Sequence, residues 1–440
     1  MQPGLQLNRM DVPALAARRA LGPGTVELDL HEIVGSLALA LDLSEIYGRN
    51  GYRHHSNRVV YTAERIGRKL GLSQGSLDDL VLGGLLHDCG VTGERSFRQV
   101  YALDSTDTEP HCLQGASLLG KSSSLAYLSP IIRSHHDLFG RTNPSGLTGT
   151  EIPHSSRILK LADRVDVLID AARHPLSQRG LIRDGILARP GIDFDPEVVD
   201  AWVEIANEEA YWFDLSADGE RPAVREHRST LVSIDLDGLE ELASVFGGIV
   251  DSKSPSTHLH PTGVAAVVER LALALGQTEV VAKRAKVAGY LHDLGKLGVP
   301  AAVLDKPGPL LVRELDLVKR HAYETHRILS SIRGLEDIAH WASQHHEHVD
   351  GTGYPFHLKG DQLPLMSRAM CVADVFQALN QDRPYRRALL ASDVKGLLVK
   401  MVCERHLDGE IVDLLLSDYS TYEQLARVGS PMPMAVASGT

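Results

Sequence analysis

Fourteen side chains, seven in each half of the chain, carry the pattern that could do chemistry. In the second half His260 stands 32 residues before the pair His292-Asp293; in the first, His55 stands 32 before His87-Asp88. His321 precedes His345-His346 by 24 residues, and His111 precedes His135-His136 by the same 24. Asp374 follows His346 by 28, Asp163 follows His136 by 27. Each half therefore reads H…HD…H…HH…D in nearly one register. Neutral imidazoles with carboxylates suit borderline divalent metals. A carboxylate has two oxygens and can bridge two ions, which an imidazole nitrogen cannot. The division that follows has Asp293 bridging, His260, His292 and Asp374 on one ion, and His321, His345 and His346 on the other. Two divalent ions about 4 Å apart lower the pKa of a shared water and clamp both oxygens of an in-line displacement at phosphorus. The chemistry to expect is hydrolysis of a phosphoester.

Helices must position these groups. LDLHEIVGSLALALDL, RVVYTAERIGRKLGL, AAVVERLALALG and GLEELASVFGGIV place apolar residues at i, i+3, i+4 and i+7. Alternating strand patterns are almost absent. The expected fold is all-α, two tandem helical domains related by internal duplication. RILKLAD (157–163) mirrors RAMCVAD (368–374), and FDPEVVD (194–200) resembles LDGEIVD (407–413). A period of 205–211 residues means duplicated domains, since solenoid repeats are far shorter. Gly71 and Gly276 stand where helices ending near them need a C-cap. Adjacent His and Asp on one helix project about 100° apart, so both reach a single cluster only if it lies between those directions. Residues 1–24 and 430–440 read as flexible tails, 25–220 as the first domain, 221–232 as a linker and 233–429 as the second domain.

The totals narrow the partners. A chain of 440 residues, 43% hydrophobic and 23% charged, has material for a core in each half. Its net charge of −12 argues against a broad footprint on nucleic acid or on an anionic membrane. No apolar run approaches the roughly 18 residues a membrane span needs, and no secretory leader is visible at the N-terminus. Four cysteines form no CxxC pair, so reduced thiols and a cytoplasmic location are expected.

Longer motifs surround the second set of ligands. HDLGKLGVP (292–300), HHEHVDGTGYPFHLKG (345–360) and ADVFQALNQDRPYR (373–386) resemble the signatures of the HD-GYP family, a branch of the HD phosphohydrolases. The resemblance covers about residues 233–425. It implies hydrolysis of a cyclic dinucleotide, usually cyclic di-GMP, to pGpG or GMP. Two divalent ions go with it, Fe or Mn first, with Co, Ni or Zn as alternatives, held by the seven residues named above. Lys296 and Asp293 then stand at the scissile phosphate. Gly353, Tyr354 and Pro355 shape the substrate loop, and Arg383 and Arg386 hold phosphate or guanine, for which a guanidinium fork is suited. Two positions depart from the family. Ser256 replaces the Glu that supplies a third ion in some members, so two ions are expected; Gly263 replaces an arginine, which touches packing and no ligand.

The first half resembles the HD superfamily but not the GYP branch. His55, His87, Asp88, His111, His135, His136 and Asp163 fill every ligand position, so a further metal site is expected there. Val91 stands in place of the lysine, and no GYP or DRPY follows. A sensing domain, a hydrolase for another substrate and a scaffold with residual metal all fit this half. For the whole chain two alternatives to cyclic di-GMP hydrolysis stand: a module that binds a dinucleotide without turnover, and a hydrolase of another nucleotide such as 3′,3′-cyclic GMP-AMP. A homodimer is compatible with the sequence.

Overall fold

A computed structural model describes residues 26–45, 54–91, 109–170, 172–216, 231–253, 260–381 and 387–427. The two tails, Ser256, Arg383, Arg386 and most of the expected linker lie outside them. The first half runs β1 (Val26–Asp29), α1 (Leu30–Glu45), α2 (His55–Lys69), α3 (Gln74–Leu86), α4 (Glu109–Leu119), α5 (Ser129–Ser134), α6 (His154–Leu168), α7 (Pro175–Leu187), α8 (Pro196–Ala206) and α9 (Glu209–Ser216). The second runs β2 (Leu231–Ile234), α10 (Leu236–Ser252), α11 (His260–Ala274), α12 (Glu279–Leu291), α13 (Ala301–Leu304), α14 (Val312–Leu329), α15 (Glu336–Ser343), α16 (Leu365–Asn380), α17 (Ala391–Cys403), α18 (Gly409–Ser417) and α19 (Tyr419–Ala426). The duplication seen in the ligand spacing thus extends helix by helix, with α13 the one described addition.

The same local signals start and stop matching helices. Ser73 caps α3 through the Ser76 amide, and Thr278 caps α12 through that of Val281. Asp195 and Asp408 cap α8 and α18. Gly71 and Gly276 adopt φ of 74° and 75° after α2 and α11, the left-handed turn expected of them.

The all-α expectation holds with one addition. β1 and β2 pair antiparallel, Val26 opposite Ile234 and Asp29 opposite Leu231, forming a ribbon that ties the halves together. Leu231 and Val232, placed at the end of the linker from sequence, belong to this strand. Two short strands offer too little alternation to read.

The helices after the ribbon do not stay with their own halves. α1 packs on α2 and α3, then crosses to α14 and to a 3-10 turn at Leu294–Gly298. α10 packs on α11 and α12 and reaches α4. Ile33 and Leu37 of α1 meet Leu242 and Phe246 of α10, Leu294 of the turn and Ile328 of α14. One continuous apolar core results, running through both halves. Among the described residues no helix is long and apolar enough to cross a membrane.

Candidate metal centres

The ligand positions stand at helix ends and junctions. His55 and His260 open α2 and α11. His87 and His292 close α3 and α12. The following aspartate therefore lies beyond the helix, not within it: Asp293 has φ −96° and ψ 9° and leads into the 3-10 turn. This frees its carboxylate from the 100° separation expected inside a helix. That turn lies directly on α14, and only glycine permits it. A Cβ on Gly295 would fall 2.0 Å from the His321 carbonyl, and one on Gly90 2.1 Å from that of His111. Thr325 secures the second-half contact, accepting from the Gly295 amide at 2.9 Å and donating to the His292 carbonyl at 3.0 Å.

Hydrogen bonds fix the imidazoles. Seven ligand histidines offer Nδ1 to an acceptor: His87 to Gly84, His135 to Ile132, His292 to Gly289, His321 to Val318 and His345 to Ala342, all carbonyls, with His55 on Asp166 and His260 on Gln377. A neutral ring whose Nδ1 carries the proton presents a lone pair at Nε2. These lone pairs face one another. The Nε2 atoms of His260 and His292 are 3.2 Å apart, and those of His321 and His345 are 3.1 Å apart. The first half repeats this, with His55 and His87 at 3.3 Å and His111 and His135 at 3.3 Å. Two lone pairs at such distances repel unless a cation lies between them.

One carboxylate spans each pair of pairs. Asp293 Oδ2 lies 3.6 Å from His260 Nε2 and 3.2 Å from His292 Nε2, while Oδ1 lies 3.4 Å from His321 and 3.8 Å from His345. Asp88 does the same, with Oδ2 at 3.8 and 3.3 Å from His55 and His87, and Oδ1 at 3.6 and 3.9 Å from His111 and His135. Asp374 closes the first group at 3.1 Å from His260, and Asp163 its counterpart at 3.5 Å from His55. Neighbouring donors around one ion with bonds of about 2.0–2.2 Å stand roughly 3–3.4 Å apart. The donor set fits a pair of divalent ions in the second half, and Asp293 Oδ1, buried with no hydrogen-bond partner, is an atom such an ion would satisfy.

Charge in the clusters asks for the same thing. Burial opposes protonation of His87, yet the Asp88 carboxylate prevails and raises it to about 9; His292 is raised by Asp293 in the same way. Burial lowers His321 to about 4 and, with His321 as a neighbour, His346 to about 3, so both are neutral at ordinary pH, the form in which an imidazole can take a metal. Burial works against the Asp293 anion, but His292 and Lys296 hold its carboxyl well below the usual range.

Lys296, in the 3-10 turn, donates to Asp293 Oδ2 at 2.5 Å. Tyr354 lies over His346, ring centroids 4.8 Å apart, with the Lys319 ammonium 5.4 Å from the Tyr354 centroid. The loop carrying Gly353, Tyr354 and Pro355 hangs on Glu347, whose buried carboxylate accepts the Phe356 and Leu358 amides at 2.6 and 3.0 Å. Glu347 was inside the quoted motif without a role. Gly263 also finds its reason. In the first half Arg58 pairs with Asp166 at 2.6 Å behind His55. At the matching positions Gln377 stands behind His260, and a Cβ on Gly263 would fall 2.7 Å from Gln377 Cγ. Arginine and aspartate have given way together to glycine and glutamine. Sequence reasoning passed over Lys160, whose ammonium, brought down to about 8 by burial and by Arg164, lies against His136. The signal was available: RILKLAD sets a lysine on an otherwise apolar stretch, one turn before Asp163.

Known proteins are similar to this chain. Models of the HD domain match residues 52–168 and 244–411. The 3′3′-cGAMP-specific phosphodiesterase 1 of Vibrio cholerae is 30% identical over 420 residues, covering 93% of this chain and 96% of that protein. A cyclic di-GMP phosphodiesterase of Pseudomonas aeruginosa is 38% identical over 138 residues, 31% of this chain and 33% of that protein. The crystal structure of a cyclic GMP-AMP specific phosphodiesterase of V. cholerae superposes with a TM-score of 0.61 at 27% identity, covering 90% of this chain and 98% of that one.

Proposed function

The chain belongs to the HD phosphohydrolase family, with two HD domains in tandem and the second of the HD-GYP kind, and from this premise we propose that it hydrolyses 3′,3′-cyclic GMP-AMP at the second cluster. Membership makes it a metal-dependent hydrolase. The observation that carries the catalytic reading is the Asp293 carboxylate, with one oxygen turned to the His260–His292 pair and the other to the His321–His345 pair. The substrate reading rests on extent. Similarity to a cyclic GMP-AMP enzyme runs through both halves, whereas the cyclic di-GMP enzyme of P. aeruginosa matches under a third of the chain. Cyclic di-GMP, expected from the motifs, becomes the second reading.

We assign two divalent ions to His260, His292, Asp293, His321, His345, His346 and Asp374, with Fe or Mn first and Co, Ni or Zn as alternatives. Bound there, they supply Lewis acidity toward the scissile phosphate and toward the attacking water. This chain's residues do the rest. Nδ1 contacts hold His260, His292, His321 and His345 in the tautomer that leaves Nε2 free for a metal. Lys296, whose ammonium stands at Asp293, would neutralise charge developing on the non-bridging oxygens. Gly353, Tyr354 and Pro355, held by Glu347, form the wall against which a base can stack. Arg383 and Arg386 are proposed phosphate or guanine contacts. The domain units 25–220 and 233–429, and action in the cytoplasm, belong to the same proposal.

The test is turnover by metal-loaded protein of 3′,3′-cyclic GMP-AMP, cyclic di-GMP and cyclic di-AMP, with Asp293→Asn as control. Hydrolysis of cyclic GMP-AMP at a kcat/KM at least tenfold above the other two is expected. Preference for cyclic di-GMP would overturn the substrate assignment, and no turnover with any of the five metals would overturn the enzyme.

A further inference from the structure

The loop that carries Tyr354 runs along one face of α14. Phe356 meets His326 of that helix, ring centroids 5.1 Å apart, and the Lys319 ammonium stands over the Tyr354 ring, 5.4 Å from its centroid. Lys319 and His326 are two helical turns apart and share a face, whereas His321 projects about 160° round the helix from Lys319, toward the ligand cluster. Lys319 is exposed, and among the described residues its ammonium meets no carboxylate. Its neighbours Arg320 and Arg327 both lie on Glu324. A cation over an aromatic ring at an exposed site is worth only about two- to fivefold. The ammonium can leave Tyr354 for a stronger partner at little cost.

A cyclic dinucleotide brings such a partner. It has two phosphodiesters, on opposite sides of its sugar-phosphate ring. With one of them at the His/Asp cluster, where Lys296 stands at Asp293, the other must lie toward the rim. It arrives there as an anion on a chain whose net charge is already −12. A compact ammonium on a flexible stem suits a phosphate in that place, and Lys319 offers one beside the ring on which a base would stack. The first half, which has no tyrosine loop, carries neither charge. Glu109 holds the place two before His111 that Lys319 holds before His321, and Val91 holds that of Lys296.

We propose, resting on the phosphodiesterase reading of the second cluster, that Lys319 binds the second, unreacting phosphate of the cyclic dinucleotide, leaving the Tyr354 ring as the substrate enters. Lys319 then sets affinity for a ring with two phosphates over a substrate with a single phosphodiester. It takes no part in breaking the bond.

The experiment compares two substrates on the full-length, Mn(II)-loaded chain: 3′,3′-cyclic GMP-AMP, and bis(p-nitrophenyl) phosphate, which has one phosphodiester and no second phosphate. Lys319→Met is expected to raise KM for the dinucleotide about tenfold, the lower end for a hydrogen bond to a charged group because the site is open to water, with kcat within about twofold. Its turnover of bis(p-nitrophenyl) phosphate and its metal content stay at wild-type values. Lys319→Arg keeps the charge and restores most of the affinity. Exposed charges are screened by salt, so KM for the dinucleotide should climb more steeply with ionic strength in the wild type than in Lys319→Met. An unchanged KM in a folded Lys319→Met overturns the inference. So does an equal loss on both substrates, or a rise in KM of one size at every salt concentration, which would make Lys319 a prop for Tyr354. A wild type that hydrolyses bis(p-nitrophenyl) phosphate but no cyclic dinucleotide removes the substrate reading and this inference together, whereas the other adverse outcomes remove the inference alone.

Discussion

Replacing Glu347 with glutamine separates the substrate loop from the metal ligands. The Glu347 carboxylate is 1% exposed and accepts two backbone amides, from Phe356 and Leu358. Hydrogen bonds to a buried charged group contribute about 1.5–3 kcal/mol each, neutral ones about 0.5–1.5. Glutamine keeps the shape, retains one neutral bond and turns an NH2 toward the second amide. The loop then loses about 3 kcal/mol of attachment, near 150-fold in its closed-to-open ratio at roughly 1.4 kcal/mol per factor of ten. No ligand to metal is touched. With 3′,3′-cyclic GMP-AMP as substrate, kcat/KM is expected to fall through KM by at least threefold and up to about a hundredfold, since only the closed loop presents Tyr354. Elemental analysis in parallel should return the wild-type metal content. Wild-type KM, or metal lost in step with activity, would refute the scaffold role given to Glu347.

Asp293→Asn should release the C-terminal ions as a pair, because one residue serves both groups; loss of a single ion in a metal count would contradict bridging. Gly353→Ala places a Cβ 2.3 Å from the His348 amide nitrogen and 2.5 Å from the His346 carbonyl oxygen, so the loop must shift. Activity at least tenfold lower with metal retained is expected. Asp166→Asn leaves the buried Arg58 without its carboxylate and should cost about 3–5 kcal/mol, read as a fall in the unfolding midpoint. In chelator, stability should decline as pH falls from about 6.5 toward 4. His321 and His346, lowered to about 4 and about 3, stay unprotonated in the fold while the unfolded chain takes up protons. The raised His87 and His292 contribute stability that is lost only as pH rises above about 6.5, so they do not offset the decline below it; a midpoint constant from about 6.5 to 4 would count against this balance.

Much of the centre was readable because its constraints are local in sequence. The 32- and 24-residue spacings each run along two helices and the connection between them, and they repeat because the helices repeat. Gly71, Gly276 and the grouping of the seven proposed C-terminal ligands were legible for that reason. Other features depend on what lies across space. Lys160 meets His136 only after α6 folds over α5, and Gln377 explains Gly263 only once the start of α11 lies beside α16. The β1–β2 ribbon joins segments some 200 residues apart, each four residues long, which leaves no periodicity to see.

The exchange of α1 and α10 has a consequence for how this chain can be handled. A fragment starting at β2 would lose its strand partner and bare Leu294, Ile328 and Leu329, which α1 helps to cover, directly behind the turn that bears Lys296. Cutting between the repeats would therefore yield two sticky pieces with a loosened catalytic turn, not two working enzymes. The pair was fused in such a way that neither twin is whole by itself.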